Sequence, residues 1–382
     1  MRKFILPSIV FVAVALVTYY FQSFTLIRQE GMGLFLNTPD YYRDLFFDSF
    51  PIITLISNFI VQFYADHRVG ALIVALTITL IYLLVRALMR RFGLRYEAPA
   101  ALCAGVAWFF VAKAHTPALG IGILLSLTAL WLVSLLFERR TPKDAVAPKW
   151  DIAASAGLLA AAGIAIWLNP TVRDTEKWGK IEYAAVQGNW SYLLKIVTPE
   201  EAEKDYNKVP YALLALNAQG LMANKMGDYP VFEDFGIDYG TEVSFQRSLF
   251  DAVLYSAMDC PNEAIHRLHQ AGDFLPHCTS FRTLRMLVKE NYKLGDSLMV
   301  VKYCDILERS TAHKEFVQYF RENPCTQRNP STLEERQSIP LVIKNDYRET
   351  LLQLGRADIA SKMAMERYYC YHQLDRYFKE NK

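Results

Sequence analysis

The chain has 382 residues, 52% of them hydrophobic, with 41 Lys and Arg against 39 Asp and Glu and a formal net charge of +2. That near-neutral balance leaves no electrostatic footprint for nucleic acid. The charges are unevenly placed: residues 1–169 carry 14 basic and 9 acidic side chains between long apolar runs, while residues 170–382 carry 27 and 30 and no run able to cross a bilayer.

A spanning helix needs about 17–25 apolar residues. The first run, 4–24, follows Met1-Arg2-Lys3 and contains Ala13-Val14-Ala15, as a signal peptide would. Its apolar residues continue past that tripeptide to Phe24, whereas a cleavage site belongs at the polar edge of the run, so an uncleaved first span is expected.

Thr38-Pro39 then opens a helix, which sets Asp40, Asp44 and Asp48 on one face at four-residue spacing. One reading makes these carboxylates a general base or metal holder, as in membrane glycosyltransferases that use lipid-linked sugars. The other is an interfacial helix with Tyr41, Leu45, Phe46 and Phe50 in lipid and the Asp face wet. Residues 51–65 follow, only 15 long and containing Asn58 and Gln62. They read as an interfacial or re-entrant helix, and the parity of the span count would flip if they crossed.

Further spans are expected at 69–85, 98–112, 118–137 and 152–168, with 98–112 leading through Lys113–Pro117 into its neighbour as a tight hairpin. In the fifth span Ala153, Gly157 and Ala161 form a stripe of small residues suited to close helix contact. No carboxylate lies inside these spans, which counts against a transporter.

Basic residues cluster at Arg2 and Lys3, at Arg86, Arg90, Arg91 and Arg95, and at Arg139, Arg140, Lys143 and Lys149. Arg28, Arg43, Arg68 and Lys113 are spread along the alternate loops. With five spans all three clusters fall in the cytoplasm, so the N-terminus is cytoplasmic and residues 170–382 are exported from the cell inner membrane.

Residues 178–382 read as mostly helical. Three stretches, 178–197, 284–307 and 347–368, share a helix, a Gly (Gly188, Gly295, Gly355) and a second amphipathic helix. A Gly there can take the left-handed conformation that closes the first helix. The punctuation resembles tetratricopeptide repeats, with Ala360 and Ala364 as the small packing residues, but the glycines stand 107 and 60 residues apart, away from multiples of about 34. Stacked hairpins of this kind present a surface for a peptide or protein. Residues 228–241 and 322–340 interrupt the pattern as loops.

Chemistry is thinly represented. His266 and His269 share a helix near Cys260, His277 and Cys278, a set without the spacing of a zinc finger or zincin. In an exported domain Cys260–Cys278 is the preferred disulfide, and the five cysteines there leave at least one unpaired. No Ser-His-Asp set, phosphate loop or cofactor motif is present, and no cofactor is expected.

The stretches 38–50, 56–76, 179–196, 209–226 and 280–303 (TPDYYRDLFFDSF, ISNFIVQFYADHRVGALIVAL, GKIEYAAVQGNWSYLLKI, VPYALLALNAQGLMANKM and SFRTLRMLVKENYKLGDSLMVVKY) together resemble an uncharacterised family of bacterial multi-pass membrane proteins with a tetratricopeptide-like tail. The resemblance implies architecture and carries no activity.

The expectation is an all-α chain: a five-helix transmembrane bundle over 1–169, then a soluble helical-hairpin array over 170–382. The array would bind an envelope protein or peptide without catalysis, with Trp178, Trp190 and Tyr211 as contacts and the lipid bilayer as the other partner. The alternative is a glycosyltransferase-like enzyme acting on a lipid-linked or envelope glycan through Asp40 or Asp44.

Overall fold

The structure, a computed structural model, describes residues 2–94, 96–137, 149–231, 244–325, 351–352 and 362–380. Every regular element among them is helical. The chain divides into two compact units after Gly179, beyond the composition change at residue 169.

The first unit contains α1 (Arg2–Phe21), α2 (Ser23–Met32), α3 (Pro39–Leu45), α4 (Pro51–Val61) with a 3₁₀ turn at Gln62–Ala65, α5 (His67–Arg91), α6 (Ala98–Lys113), α7 (Ala118–Ser134) and α8 (Lys149–Leu168). α1 packs on α5 and α8, α5 on α6 and α7, and α6 on α8. Val10, Val14, Ala75, Ile78, Tyr82, Ala104, Trp108, Leu159 and Ile166 share the core.

Polar contacts fix which helix ends meet. At one end Gln22 Nε2 donates to the Ala112 carbonyl at 3.0 Å, Gln29 Nε2 to the Ala114 carbonyl at 2.8 Å, and Tyr19 stacks on His67. At the other, Glu97 accepts from Tyr82 Oη at 2.6 Å, Arg86 Nη2 at 2.8 Å and Arg90 Nη2 at 2.7 Å. Arg91 reaches the last carbonyl of α7, at Ser134, and that of Phe137 just beyond it, as a cation near a helix C-terminus should. Consecutive long helices thus run in alternating directions.

The expected first span, 4–24, bends by 77° between α1 and α2. The Ser23 hydroxyl bonds back to the Tyr19 carbonyl, and Glu176 accepts from the Phe24 and Thr25 amides and the Thr25 hydroxyl. That carboxylate starts a new helix where the sequence shows only a continuing apolar run.

Among the described residues two helices, His67–Arg91 and Trp150–Leu168, are long and apolar enough to cross a membrane, and the bent α1–α2 pair makes a third if it counts as one span. α6 and α7 have 16 and 17 residues, roughly 24 and 26 Å of helix. Pro51–Ala65 is shorter still.

The small-residue stripe does not lie where close packing was expected. Ala153, Gly157 and Ala161 are exposed, and a Cβ on Gly157 would meet nothing within 4 Å. α8 instead turns Asp151, Ser155, Leu159 and Ile166 inward, because Asp151 caps α6. The close approach is between Gly105 and Ala162, where an added Cβ would come within 3.1 Å.

The second unit begins within α9 (Pro170–Val186) and continues through α10 (Trp190–Ile196), α11 (Pro199–Lys204), α12 (Val209–Ala218), α13 (Met222–Lys225), α14 (Phe245–Ala257), α15 (Pro261–Gly272), α16 (Phe281–Leu294), α17 (Ser297–Glu308) and α18 (Lys314–Glu322). The C-terminal helix α19 (Lys362–Glu380) packs on α12 and α13. From α14 to α18 each helix packs on the next. The buried Leu213, Leu214, Phe250, Leu254, Phe281 and Val288 form its core, each contributing about 1.5–3 kcal/mol of apolar transfer.

Among the described helices that have no side-chain cap of their own are α2, α6 and α13. Each receives a carboxylate from a later helix instead. Glu176 serves α2, Asp151 serves α6, and Glu366 accepts the Ala223 amide of α13 at 3.1 Å. Helix starts leave backbone N–H groups without internal partners, and these remote carboxylates satisfy them.

Candidate functional site

The turns of the second unit supply its organising geometry. Gly188, Gly220, Asp259 and Gly295 all have left-handed backbones, φ between +57° and +75°. After each, the next amide donates to a carbonyl five residues back: Asn189 to Ala184, Leu221 to Leu216, Cys260 to Tyr255 and Asp296 to Asn291, at 2.9 to 3.0 Å. This is the bonding of a Schellman closure. The four turns are spaced by 32, 39 and 36 residues. Gly188 and Gly295 are where left-handed turns were expected, and Gly355 and Ala360 lie outside the described residues, as does most of 228–241. The expected 107-residue gap holds two further turns, one of them built on Asp rather than Gly. An Asp in a left-handed turn is tolerated and leaves no glycine to count.

The sequence-nominated contacts are distributed differently from expectation. Tyr211 is buried in α12 with its ring edge-on to Phe250 at 5.0 Å, so packing, not recognition, occupies it. Trp190 is half-buried and lies against Gly188 of its own turn. Trp178 is half-buried on the part of α9 that belongs to the first unit.

The exposed face of the second helices α15 and α17 is better furnished. Leu298 and Val301 on α17 are 81% and 54% exposed. His266 and His269 are exposed on α15, and His269 Nε2 lies 3.4 Å from Tyr303 Oη of α17. Lys302 stands over the Tyr303 ring at 5.7 Å. Partial burial, with Lys302 and His266 beside it, pushes the His269 pKa below its ordinary 6.5, so its imidazole is neutral near pH 7. This arrangement combines two exposed aliphatic side chains, an imidazole pair and one ammonium on adjacent helices. It suits contact with another surface better than chemistry.

In the second unit two buried carboxylates hold cationic partners. Arg282 donates to Glu182 at 2.6 Å, both nearly inaccessible, and Glu290 receives the Ser256 hydroxyl and Lys293. Glu182 and Arg282 tie the first and fourth turn segments together, a closure the local repeat pattern does not contain.

Asp40, Asp44 and Asp48 are all exposed. α3 ends at Leu45, so Asp48 leaves the shared face and the three carboxylates form no common site. Asp40 faces Arg43 of its own helix at 3.6 Å. The expected interfacial set also divides: Tyr41 and Leu45 are buried, while Phe46, Phe47, Phe50 and Ile52 are exposed, Phe47 by 87%.

Among the described residues no group of three His, Cys, Asp or Glu side chains converges as a metal site, so His266 and His269 lack a third ligand. No disulfide joins Cys260 to Cys278: Cys260 Sγ donates to the Met258 carbonyl at 3.6 Å, and Cys278 is an exposed thiol. Burial raises the thiol pKa of Cys304, and that of Cys370 to about 11, which leaves both as unreactive core residues.

The model of a family of unknown function, DUF6057, matches residues 1–171 and 154–380. No curated protein and no solved structure matches the chain.

Proposed function

We propose that this chain, which belongs to the DUF6057 family, is a non-enzymatic, multi-pass inner-membrane protein whose exported, tetratricopeptide-like helical array binds an envelope protein or peptide. The observation that carries the binding role is the fourfold turn, spaced near one helical-hairpin repeat. Such arrays offer an extended contact surface. The α15–α17 face, with Leu298 and Val301 beside His269 and Lys302, is the part we assign to the partner.

The membrane reading rests on what the first unit turns outward. Ile5, Ile9, Val12 and Leu16 on α1, Leu72, Leu76, Leu80 and Leu83 on α5, and Leu102, Val106 and Phe110 on α6 are exposed at helical spacing. In water such faces would be costly at roughly 25 cal/mol per Å². Exposed Trp150 and Trp167 lie near the two ends of α8, roughly 25 Å apart along the helix axis, as interfacial tryptophans do. α6 and α7 run as a pair, so whether both cross or neither crosses, the array remains opposite the N-terminus.

The test is a photoactivatable cross-linking residue placed at Leu298 or Val301 in cells. A product of one defined mass from both positions, each abolished by Glu at the other of the two positions, is expected. Absence of any product from the face overturns the assignment.

A further inference from the structure

We propose that the cleft between the C-terminal end of α5 and α7 holds the phosphate of an anionic phospholipid. This rests on the membrane reading above. The cleft measures about 400 Å³ and is lined by Leu83, Arg86, Ala87, Arg90, Arg91 and Trp131.

Three guanidinium groups in one cleft need explaining. Topology alone requires only that basic residues face the cytoplasmic side, where they can spread into water. Here they are gathered and held. Arg86 and Arg90 both bond the same oxygen, Oε1 of Glu97, at 2.8 and 2.7 Å. Arg91 is fixed by the Ser134 and Phe137 carbonyls. The second nearby carboxylate, Asp151, is committed to the Glu97 and Ala98 amides. Among the described residues the three arginines and two carboxylates leave one net positive charge, and none of the residues lining the cleft is acidic. The Arg90 side chain is 43% exposed, so an incoming anion can reach it. A guanidinium presents paired donors that match phosphate oxygens.

The surroundings select a lipid over a soluble phosphate. Leu76, Leu80 and Leu83 are exposed along α5 and lead at three- and four-residue spacing to Ala87 and Arg90. One helix face is therefore apolar for two turns and cationic at its end, the profile of an acyl chain below a headgroup. Basic recesses between helices at the membrane surface hold acidic headgroups by this means. A free phosphate ion would leave the leucine ridge unused.

The test uses the full chain, stripped of lipid in detergent and titrated with phosphatidylglycerol, phosphatidylcholine or inorganic phosphate, with bound lipid counted by native mass spectrometry. Phosphatidylglycerol should be retained in preference to phosphatidylcholine. Arg90→Gln with Arg91→Gln should weaken its binding roughly 30-fold, about fivefold for each arginine. Lys113→Gln, at the opposite end of the bundle, should leave it unchanged. Arg90→Lys keeps the charge and should retain much of the binding, which separates lost recognition from lost folding. An unchanged preference in the double variant overturns the proposal, as does displacement of the lipid by inorganic phosphate at equal concentration. Alkaline carbonate extraction reads the premise separately. A chain released into the supernatant fails the membrane reading, whereas one that stays in the pellet without lipid preference fails the cleft alone.

Discussion

Asp151 on α8 accepts the backbone N–H of Glu97 at 2.6 Å, across 54 residues of chain. The same carboxylate takes the Ala98 amide, while the Glu97 side chain gathers Tyr82, Arg86 and Arg90. Asp151→Ala should lower stability by about 2 kcal/mol, the upper range for a cap, because the abandoned amides are buried. Asp151→Asn keeps one acceptor and should lose less. Thermal unfolding of the detergent-solubilised chain checks both, and equal losses for Ala and Asn would contradict the capping account.

The Glu182–Arg282 pair makes a prediction of different form. Breaking one partner of a buried pair costs about 3–5 kcal/mol, whereas replacing both by apolar groups of similar volume is often neutral. Glu182→Leu alone and Arg282→Met alone should therefore each destabilise strongly, and Glu182→Leu with Arg282→Met should recover most of the loss. Unfolding midpoints for the four chains close the cycle. Simple additivity would show that the two residues are not coupled.

Two glycines isolate backbone conformation from packing. Added Cβ atoms at Gly220 and Gly227 would both meet open space, but only Gly220 has a left-handed φ, +66°. Gly220→Ala should cost about 1 kcal/mol, while Gly227→Ala should be close to neutral. Chemical denaturation of the two variants distinguishes them.

The division into two units was legible because charge is excluded from one stretch and abundant in the other. Gly188 and Gly295 were legible because a turn that needs positive φ selects glycine. What stayed hidden was tertiary. Asp259 performs the same turn with a residue that carries no such signal, and its absence from the glycine pattern hid the spacing of the four turns. Asp151, Glu176 and Glu366 look like ordinary surface charges until the helix starts they cap are brought beside them. The small-residue stripe on α8 was visible, but periodicity could not say which face Asp151 would pull inward. Among candidate site residues, Tyr211 illustrates the limit: aromaticity alone does not separate a core ring from a contact.

His269 supplies a pH dependence with a definite sign. Its folded pKa lies below 6.5 because burial, then Lys302 and His266, disfavour its charge, with Asp273 opposing weakly. The unfolded chain therefore binds the proton first, and stability rises with pH across the interval from the lowered value to 6.5. Its contribution is fully present above about pH 6.5 and is lost as pH falls below that. The effect is small because the ring is partly solvated. It should be absent from His269→Gln and appear as the difference between the native chain and that variant when melting temperatures are followed from pH 7.5 to 5.

Topology gives the fifth prediction. Reporters fused after Lys382, one active only in the cytoplasm and one only outside it, should give signal from the exported reporter alone. Cytoplasmic activity would mean that Pro51–Ala65 crosses, and the array's partner would then be cytosolic.

The remote caps also impose an order on biosynthesis. α6 leaves the ribosome with its first amides unsatisfied and waits for Asp151, 54 residues behind Glu97, which is about 3–10 s at ordinary elongation rates. α2 waits longer, because Glu176 follows Thr25 by 151 residues. A nascent chain halted before residue 151 holds α2 and α6 without the carboxylates that close their starts. The first unit therefore becomes complete only as synthesis passes into the second.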